Sequence, residues 1–233
     1  MYLLEGNIGV GKSTFLSLLG QLCPEIIPVQ EPMAQWVAEV GGAHLLENFY
    51  KDPARWTYTM ETMTMISRVQ DYVNAQKNIQ PNRIMERSVY SGHYCFAVNG
   101  YMQGNFTGIE WNIYTAWVDF LMHQMCTPPQ GFIYLRAPSE VCHARTRLRA
   151  RGGEESVTLA YVKQIEALHE RFLITKEGIP AYLASVPVLV IDATLDYKDH
   201  PERMHEHAEK VRNFLVTTQA PRAQGVRDFL AQP

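Results

Sequence analysis

The sequence predicts an α/β fold built on a five-stranded parallel sheet with helices on both faces, and three observations lead there. Five short runs rich in apolar and β-forming residues recur along the chain. None shows the polar–apolar alternation of a half-exposed sheet, so each reads as a strand buried on both faces. Helical stretches separate all five, and strands separated by helices pair in parallel. Finally, 46% apolar residues and 11% aromatics over 233 residues supply the core of one large domain.

In chain order, the first strand is expected over residues 2–4, followed by a glycine-rich turn and a helix over Lys12–Leu22. The second strand, 26–29, runs into Glu31-Pro32. A long helix over 54–78 leads to the third strand, 83–85, which ends in Glu86-Arg87-Ser88. Helices over 91–99 and Gly108–Met125 precede the fourth strand, 132–135. Two more, 139–150 and 159–176, precede the fifth, 188–191, and a last helix covers 201–216. Residues 217–233 lose periodicity and carry Gln, Ala, Pro and Gly, so a poorly ordered tail is expected after a single domain spanning 1–216. In such a fold active groups gather at the carboxyl ends of the strands, so the residues just after each strand carry the chemistry.

Composition narrows the function. With 21 Lys+Arg against 24 Asp+Glu the net charge is −3, which excludes a general nucleic-acid binder and makes any basic site local. Cys23, Cys95, Cys126 and Cys142 are dispersed, without a CxxC pair or a histidine at ligand spacing, and read as reduced packing residues. No run reaches the length of a membrane span, and a strand starting at residue 2 leaves no room for a signal peptide, so a cytoplasmic protein without a membrane partner is expected. A cell or a virus is an equally good source.

Gly6-Asn7-Ile8-Gly9-Val10-Gly11-Lys12-Ser13 matches the phosphate-loop pattern G-x-x-x-x-G-K-[ST], with a strand before it and a helix after it, and Thr14 follows. The glycines let backbone N–H groups curl around a β-phosphate at a helix N-terminus, where the dipole favours an anion. Lys12 adds a point charge, and Ser13 offers a hydroxyl to Mg²⁺. A nucleoside triphosphate with Mg²⁺ is therefore the expected ligand, and ATP is the donor expected of a kinase. No N-K-x-D sequence follows, which argues against a guanine-nucleotide switch.

On the acceptor side, Glu31 and Glu86 stand at the ends of two strands. One such carboxylate is placed to activate a hydroxyl and the other to bind Mg²⁺ through water. Further on, "RTRLRARGGEES" holds Arg145, Arg147, Arg149 and Arg151 before Glu154 and Glu155. Alternate arginines cannot share one helix face, so a solvated stripe explains them less well than a lid over about 145–157 that brings fixed cations to transferring phosphates.

These residues carry a resemblance. In order, "EGNIGVGKST", "EPMAQW", "FYKDPARW", "ERSVYSGHYCF", "EWNIYTAW", "IYLRAP", "RLRARGGEES" and "LHERFLI" are similar to the deoxyribonucleoside kinase family, the group of deoxycytidine, deoxyguanosine and mitochondrial-type thymidine kinases, over roughly residues 2–215. The resemblance implies a three-layer P-loop kinase fold with an arginine-rich lid and a nucleoside 5′-hydroxyl as acceptor. It implies Glu31 as general base and Arg87 as the group orienting the 5′-oxygen and the phosphates, with Glu86 helping to hold Mg²⁺. It further implies Tyr50 and Glu154, or Glu155 in its place, on the sugar 3′-hydroxyl, and Trp36 and Phe96 on the base. Arg145, Arg149 and Arg151 match the flap arginines, and "DATLDY" from Asp192-Ala193 matches the loop that holds the donor's adenine. Family members pair as homodimers, and the apolar faces of residues 113–125 and 159–174 are the candidate surfaces.

The sequence departs from the family at the base. The family's base-reading glutamine is replaced by Glu61, and Arg68 is kept while its acidic partner is replaced by Gly92. Seven residues apart on one helix face, Glu61 and Arg68 are expected to pair. An ionised carboxylate only accepts, which favours an edge presenting N–H, as in thymine and guanine. Met33, Phe49 and Met60 add bulk, so thymidine is expected ahead of deoxyguanosine. The competing expectations are a deoxycytidine, purine deoxynucleoside or broad-specificity kinase, a nucleoside monophosphate kinase, whose anionic acceptor Glu31 would repel, and a kinase-like interaction subunit without catalysis, against which the intact charged set argues.

Overall fold

The computed structural model describes residues 1–31, 39–40, 43–77, 80–149 and 154–219, with backbone alone at 39–40 and 43–44. The strands are β1 (Tyr2–Gly6), β2 (Ile27–Val29), β3 (Glu39–Val40), β4 (Ala43–His44), β5 (Arg83–Glu86), β6 (Gly131–Arg136) and β7 (Val188–Asp192). β2, β5, β1, β6 and β7 form one parallel sheet in that spatial order, and β3 and β4 form a separate antiparallel pair. β1 is the central strand, pairing Leu3 with Met85 on one side and with Phe132 on the other.

Alternation within the buried strands sends side chains to two layers. Tyr2, Leu4, Ile133 and Leu135 join a core with Phe15, Leu16, Leu19, Val211 and Leu215. That layer is covered by α1 (Lys12–Leu22) and the last helix, α9 (Pro201–Gln219). Leu3, Met85, Phe132 and Tyr134 join the opposite core with Met65, Tyr72, Tyr90, Val118 and Phe172. Those residues come from α3 (Pro53–Lys77), a helical run α4 made of Val89–Ser91, Gly92–Ala97 and Val98–Met102, α5 (Gly108–Met125) and α7 (Leu159–Glu170) with its continuation Arg171–Thr175. The result is the three-layer fold of a P-loop kinase.

Local signals place the helix ends. Thr107 caps α5, accepting from Glu110 N at 3.2 Å, while Glu110 closes the capping box on Thr107 N at 2.8 Å. Thr158 caps α7 through Tyr161 N at 3.1 Å. Three short elements were not expected: α2 (Leu45–Lys51), α8 (Ala181–Ala184) and the β3–β4 pair. The expected tail is also corrected, because α9 runs on to Gln219. Its last turn is held by Tyr2, whose hydroxyl donates to Leu215 O at 3.2 Å and lies 2.8 Å from Thr218 Oγ1, and by a Gln219–Asn82 hydrogen bond. The rest of the expected tail, 220–233, lies outside the described residues. Among the described residues no helix is long and apolar enough to cross a membrane, and all four cysteines are buried and free.

Candidate active site

β1 ends in the phosphate loop, and α1 begins inside it (α6 is Ser139–Arg149). Gly9 and Gly11 take positive φ, +74° and +101°, which a side chain resists. Gly9 also presses on α6, so that a Cβ there would lie 2.2 Å from Cys142 O and 2.3 Å from Thr146 Oγ1. Asn7 fastens the loop to α7, donating from Nδ2 to Val162 O at 2.9 Å. Ile8 and Gly9 line the cavity, Val10 is buried and Thr14 is exposed. Lys12 curls over the loop, its Nζ donating to Gly6 O at 3.0 Å and Asn7 O at 2.8 Å. Burial pulls its pKa down to about 7, with Arg87 adding to the effect and Glu86, Glu31 and Glu5 opposing it.

At the ends of β2 and β5 three charges meet. Glu31 Oε1 accepts from Arg68 Nε at 3.2 Å and Nη2 at 2.7 Å, and lies 3.3 Å from Arg87 Nε. Burial alone would raise the Glu31 carboxyl, but Arg68, then Arg87 and Lys12, outweigh it and hold it below its ordinary value. Arg87 sits in the left-handed region at φ 59° and donates its backbone N–H to Leu4 O at 2.8 Å. Its guanidinium lies 4.5 Å over the Phe96 ring, and Nη1 is buried without a partner among the described residues. The expected Glu61–Arg68 pair is therefore corrected. With glycine at 92, where a Cβ would come 2.6 Å from Arg68 Nη1, the guanidinium lies against α4 without meeting an acid at that position, and its Nε and Nη2 go to Glu31.

Ser13 Oγ donates to Glu86 Oε1 at 2.8 Å, bringing the loop hydroxyl and a strand-end carboxylate together. A hydroxyl and a carboxylate are hard oxygen donors, the set that suits Mg²⁺ held mainly by phosphates and water. Among the described residues no cluster of three or more His, Cys, Asp or Glu offers a protein-only metal cage.

The lid splits into parts with different partners. Arg145 reaches back from α6, donating to Ala193 O at 2.8 Å, Thr194 O at 3.0 Å and Val10 O at 3.4 Å. It thus ties the loop after β7 to the phosphate loop rather than reaching into the cavity. Asp192 accepts from Thr194 N at 2.9 Å and from Arg203 Nη2 at 3.3 Å. Arg149 lines the cavity and binds both carboxylate oxygens of Glu154, through Nε at 3.0 Å and through Nη2. Glu154 is buried and lines the cavity, whereas Glu155 is exposed. Arg151 lies outside the described residues, as do Trp36 and Met33.

Tyr50, Phe96, Glu61 and Arg68 all line the same cavity, together with Leu46, Phe49 and Met60. Glu61 is 5% exposed, and burial pushes its carboxyl up to about 7 although Arg68 and Arg87 pull the other way. Two participants escaped the sequence reading. Tyr161 lines the cavity from α7, and nothing in its sequence context marks it. Glu5 is fully buried, accepts from Ser88 Oγ at 2.5 Å and lies in the field of Arg87. An acid inside the apolar run before Gly6 was the signal for it.

The geometry joins a phosphate loop, an ionised carboxylate and apolar side chains in one cleft. The sequence profile of the deoxynucleoside kinase family matches residues 3–216. Human deoxycytidine kinase is 35% identical over 240 residues, covering 92% of this chain and 90% of the human protein. A probable deoxycytidine kinase of fowlpox virus is 33% identical over 212 residues, covering 91% and 86%. Mitochondrial deoxyguanosine kinase of Xenopus laevis is 31% identical over 237 residues, covering 91% and 88%.

Proposed function

Because this chain belongs to the deoxynucleoside kinase family and is a phosphotransferase, we propose that it moves the γ-phosphoryl group of ATP to the 5′-hydroxyl of a 2′-deoxyribonucleoside. The observation that carries the reading is the Glu31 carboxylate, held ionised by Arg68 and Arg87 in the cavity that the phosphate loop opens into.

Glu31 takes the proton of the 5′-hydroxyl as its oxygen bonds to the γ-phosphorus and the bond to the ADP oxygen breaks. Arg87, with Nη1 uncommitted, orients the oxygens around the transferring group, and Lys12 and the loop N–H groups hold the β-phosphate. Ser13 and Glu86 are the residues that would hold Mg²⁺, which when bound neutralises charge on the phosphates. Arg149, and Arg151 beyond the described residues, close the lid cations over the phosphates, while Asp192 and Ala193 shape the site of the donor's adenine. Tyr50 and Glu154 take the sugar 3′-hydroxyl, and Phe96, with Trp36, stacks on the base.

For the base, the expected thymidine preference rested on a Glu61 kept ionised by Arg68. Arg68 is committed to Glu31, and the relatives named above are deoxycytidine and deoxyguanosine kinases, so deoxycytidine is the better-supported substrate. A homodimer is part of the same reading. Ile109, Ile113, Trp117 and Phe120 are exposed along one face of α5, whereas α7 turns Val162, Ile165 and Leu168 into the core. A cytoplasmic location fits the four free cysteines.

Formation of nucleoside monophosphate from ATP, Mg²⁺ and each of the four deoxynucleosides tests the proposal. Product that depends on the nucleoside supports it. ATP hydrolysis without a phosphorylated nucleoside, or no turnover, overturns it.

A further inference from the structure

Gly9, Lys12, Ser13 and Glu86 line the same cavity as Leu46, Met60, Phe96 and Glu61. Leu46 and Met60 pack together as an apolar cluster joined by Phe49. Any role for Glu61 toward a base held in this cavity rests on the kinase reading. Among the carboxyl groups lining the cavity, Glu31 is paired with two arginines, Glu154 with Arg149, and Glu86 accepts from Ser13. The Glu61 carboxyl has no hydrogen bond or ion pair among the described residues. Thr64 Oγ1 reaches only the Glu61 backbone carbonyl, at 3.1 Å.

We propose that Glu61 reads the ring edge of the base in two protonation states, selecting cytosine when neutral and thymine or guanine when ionised. A neutral carboxyl offers one O–H donor and one carbonyl acceptor side by side, like a carboxamide. That pair complements the unprotonated ring nitrogen and adjacent amino group of cytosine. A carboxylate only accepts, so it repels that nitrogen and favours a ring N–H.

The surroundings leave the choice open. Arg68, on the same helix, spends Nε and Nη2 on Glu31, and Arg87, after β5, faces Glu31 and Phe96. Glu31, after β2, is paired with both arginines, and Lys12 and Glu86 line the same cavity. Tyr114 on α5 and Tyr161 on α7 face Glu61 with hydroxyls that burial holds well above their ordinary value, hence neutral. Tyr50 on α2 lines the same cavity, and Glu154 is paired with Arg149. Burial therefore leaves Glu61 titrating at about 7, where either edge can tip it. Cytosine binding draws a proton onto the group, and thymine binding releases one.

The test is the ratio of kcat/KM for deoxycytidine over thymidine, measured from about pH 6 to about pH 8.5 in the wild type and in Glu61→Gln. Titration of Lys12 or Glu31 affects both substrates alike and cancels in the ratio. The ratio is expected to fall with rising pH, by up to about tenfold per pH unit across the Glu61 titration, and to be flat in Glu61→Gln. A flat wild-type ratio overturns the inference while leaving the kinase reading intact. Calorimetry of deoxycytidine binding without ATP, in buffers of different ionisation enthalpy, reads the same event without turnover. Proton uptake in the wild type that vanishes in Glu61→Gln supports the inference even if catalysis is absent, and no uptake overturns it.

Discussion

Arg68 directs Nε and Nη2 at a single carboxylate oxygen of Glu31, 3.2 and 2.7 Å away, joining the long helix α3 to the end of β2. Both side chains are about nine-tenths buried. Removing one partner of such a pair strands a charge, at a cost of about 3–5 kcal/mol. The pair does more than fasten the helix, because it sets the protonation state of the proposed base.

Gly92→Asp is predicted to move the acid limb of the kcat/KM pH profile to higher pH. The Cβ of the new side chain would lie 2.6 Å from Arg68 Nη1, the movable end of a long side chain, so the guanidinium must shift and the new carboxylate competes for it. Glu31 is held below its ordinary value, so wild-type activity persists as pH falls until that lowered value is reached. Diverting Arg68 lets the Glu31 carboxyl rise, and the active, ionised form is lost sooner. An unshifted acid limb contradicts this.

Glu61→Gln is predicted to stabilise the protein at about pH 8 and to change little at about pH 5. Glu61 is raised from 4.5 to about 7 by burial, so the folded state holds a proton that the unfolded chain releases between those values. The associated stability is present below the unfolded value and is lost as pH rises through the folded one. The change amounts to roughly 2–3 kcal/mol, or several degrees in Tm for a chain of this size. Equal Tm differences at both pH values count against a buried, titrating Glu61.

Gly9→Ala is predicted to destabilise by about 2–4 kcal/mol, since the methyl meets both a positive φ and the backbone of α6. Chemical denaturation measures it. A loss below about 0.5 kcal/mol means the loop and α6 can separate freely.

Arg145→Met is predicted to raise KM for ATP about tenfold while moving kcat less, because two charge-assisted bonds to the loop after β7 and one to the phosphate loop are lost. A fall in kcat at unchanged KM instead assigns Arg145 to the transferring phosphates.

Much of this was legible in the sequence. Buried parallel strands announce themselves by unbroken apolar runs, and each of the five appeared within about one or two residues of its expected bounds. The phosphate loop, Glu31, Glu86 and Arg87 followed from motif and strand end. The partner of Arg68 did not, because helix spacing puts Glu61 within reach while only the packing of β2 against β5 brings Glu31 closer. Tyr161 was invisible for a similar reason, as its place in the cavity depends on how α7 docks. Short elements such as Leu45–Lys51 were missed because seven residues carry too little periodicity.

In the proposed reaction the ionised Glu31 takes the acceptor proton. The most direct measurement of that step is the single-turnover rate of Glu31→Gln with ATP, Mg²⁺ and deoxycytidine, set beside the dissociation constant of the nucleoside. The predicted result is a rate lowered by about 10²–10⁴-fold with nucleoside binding largely retained. A rate equal to that of the wild type contradicts it and removes Glu31 from the proton's path.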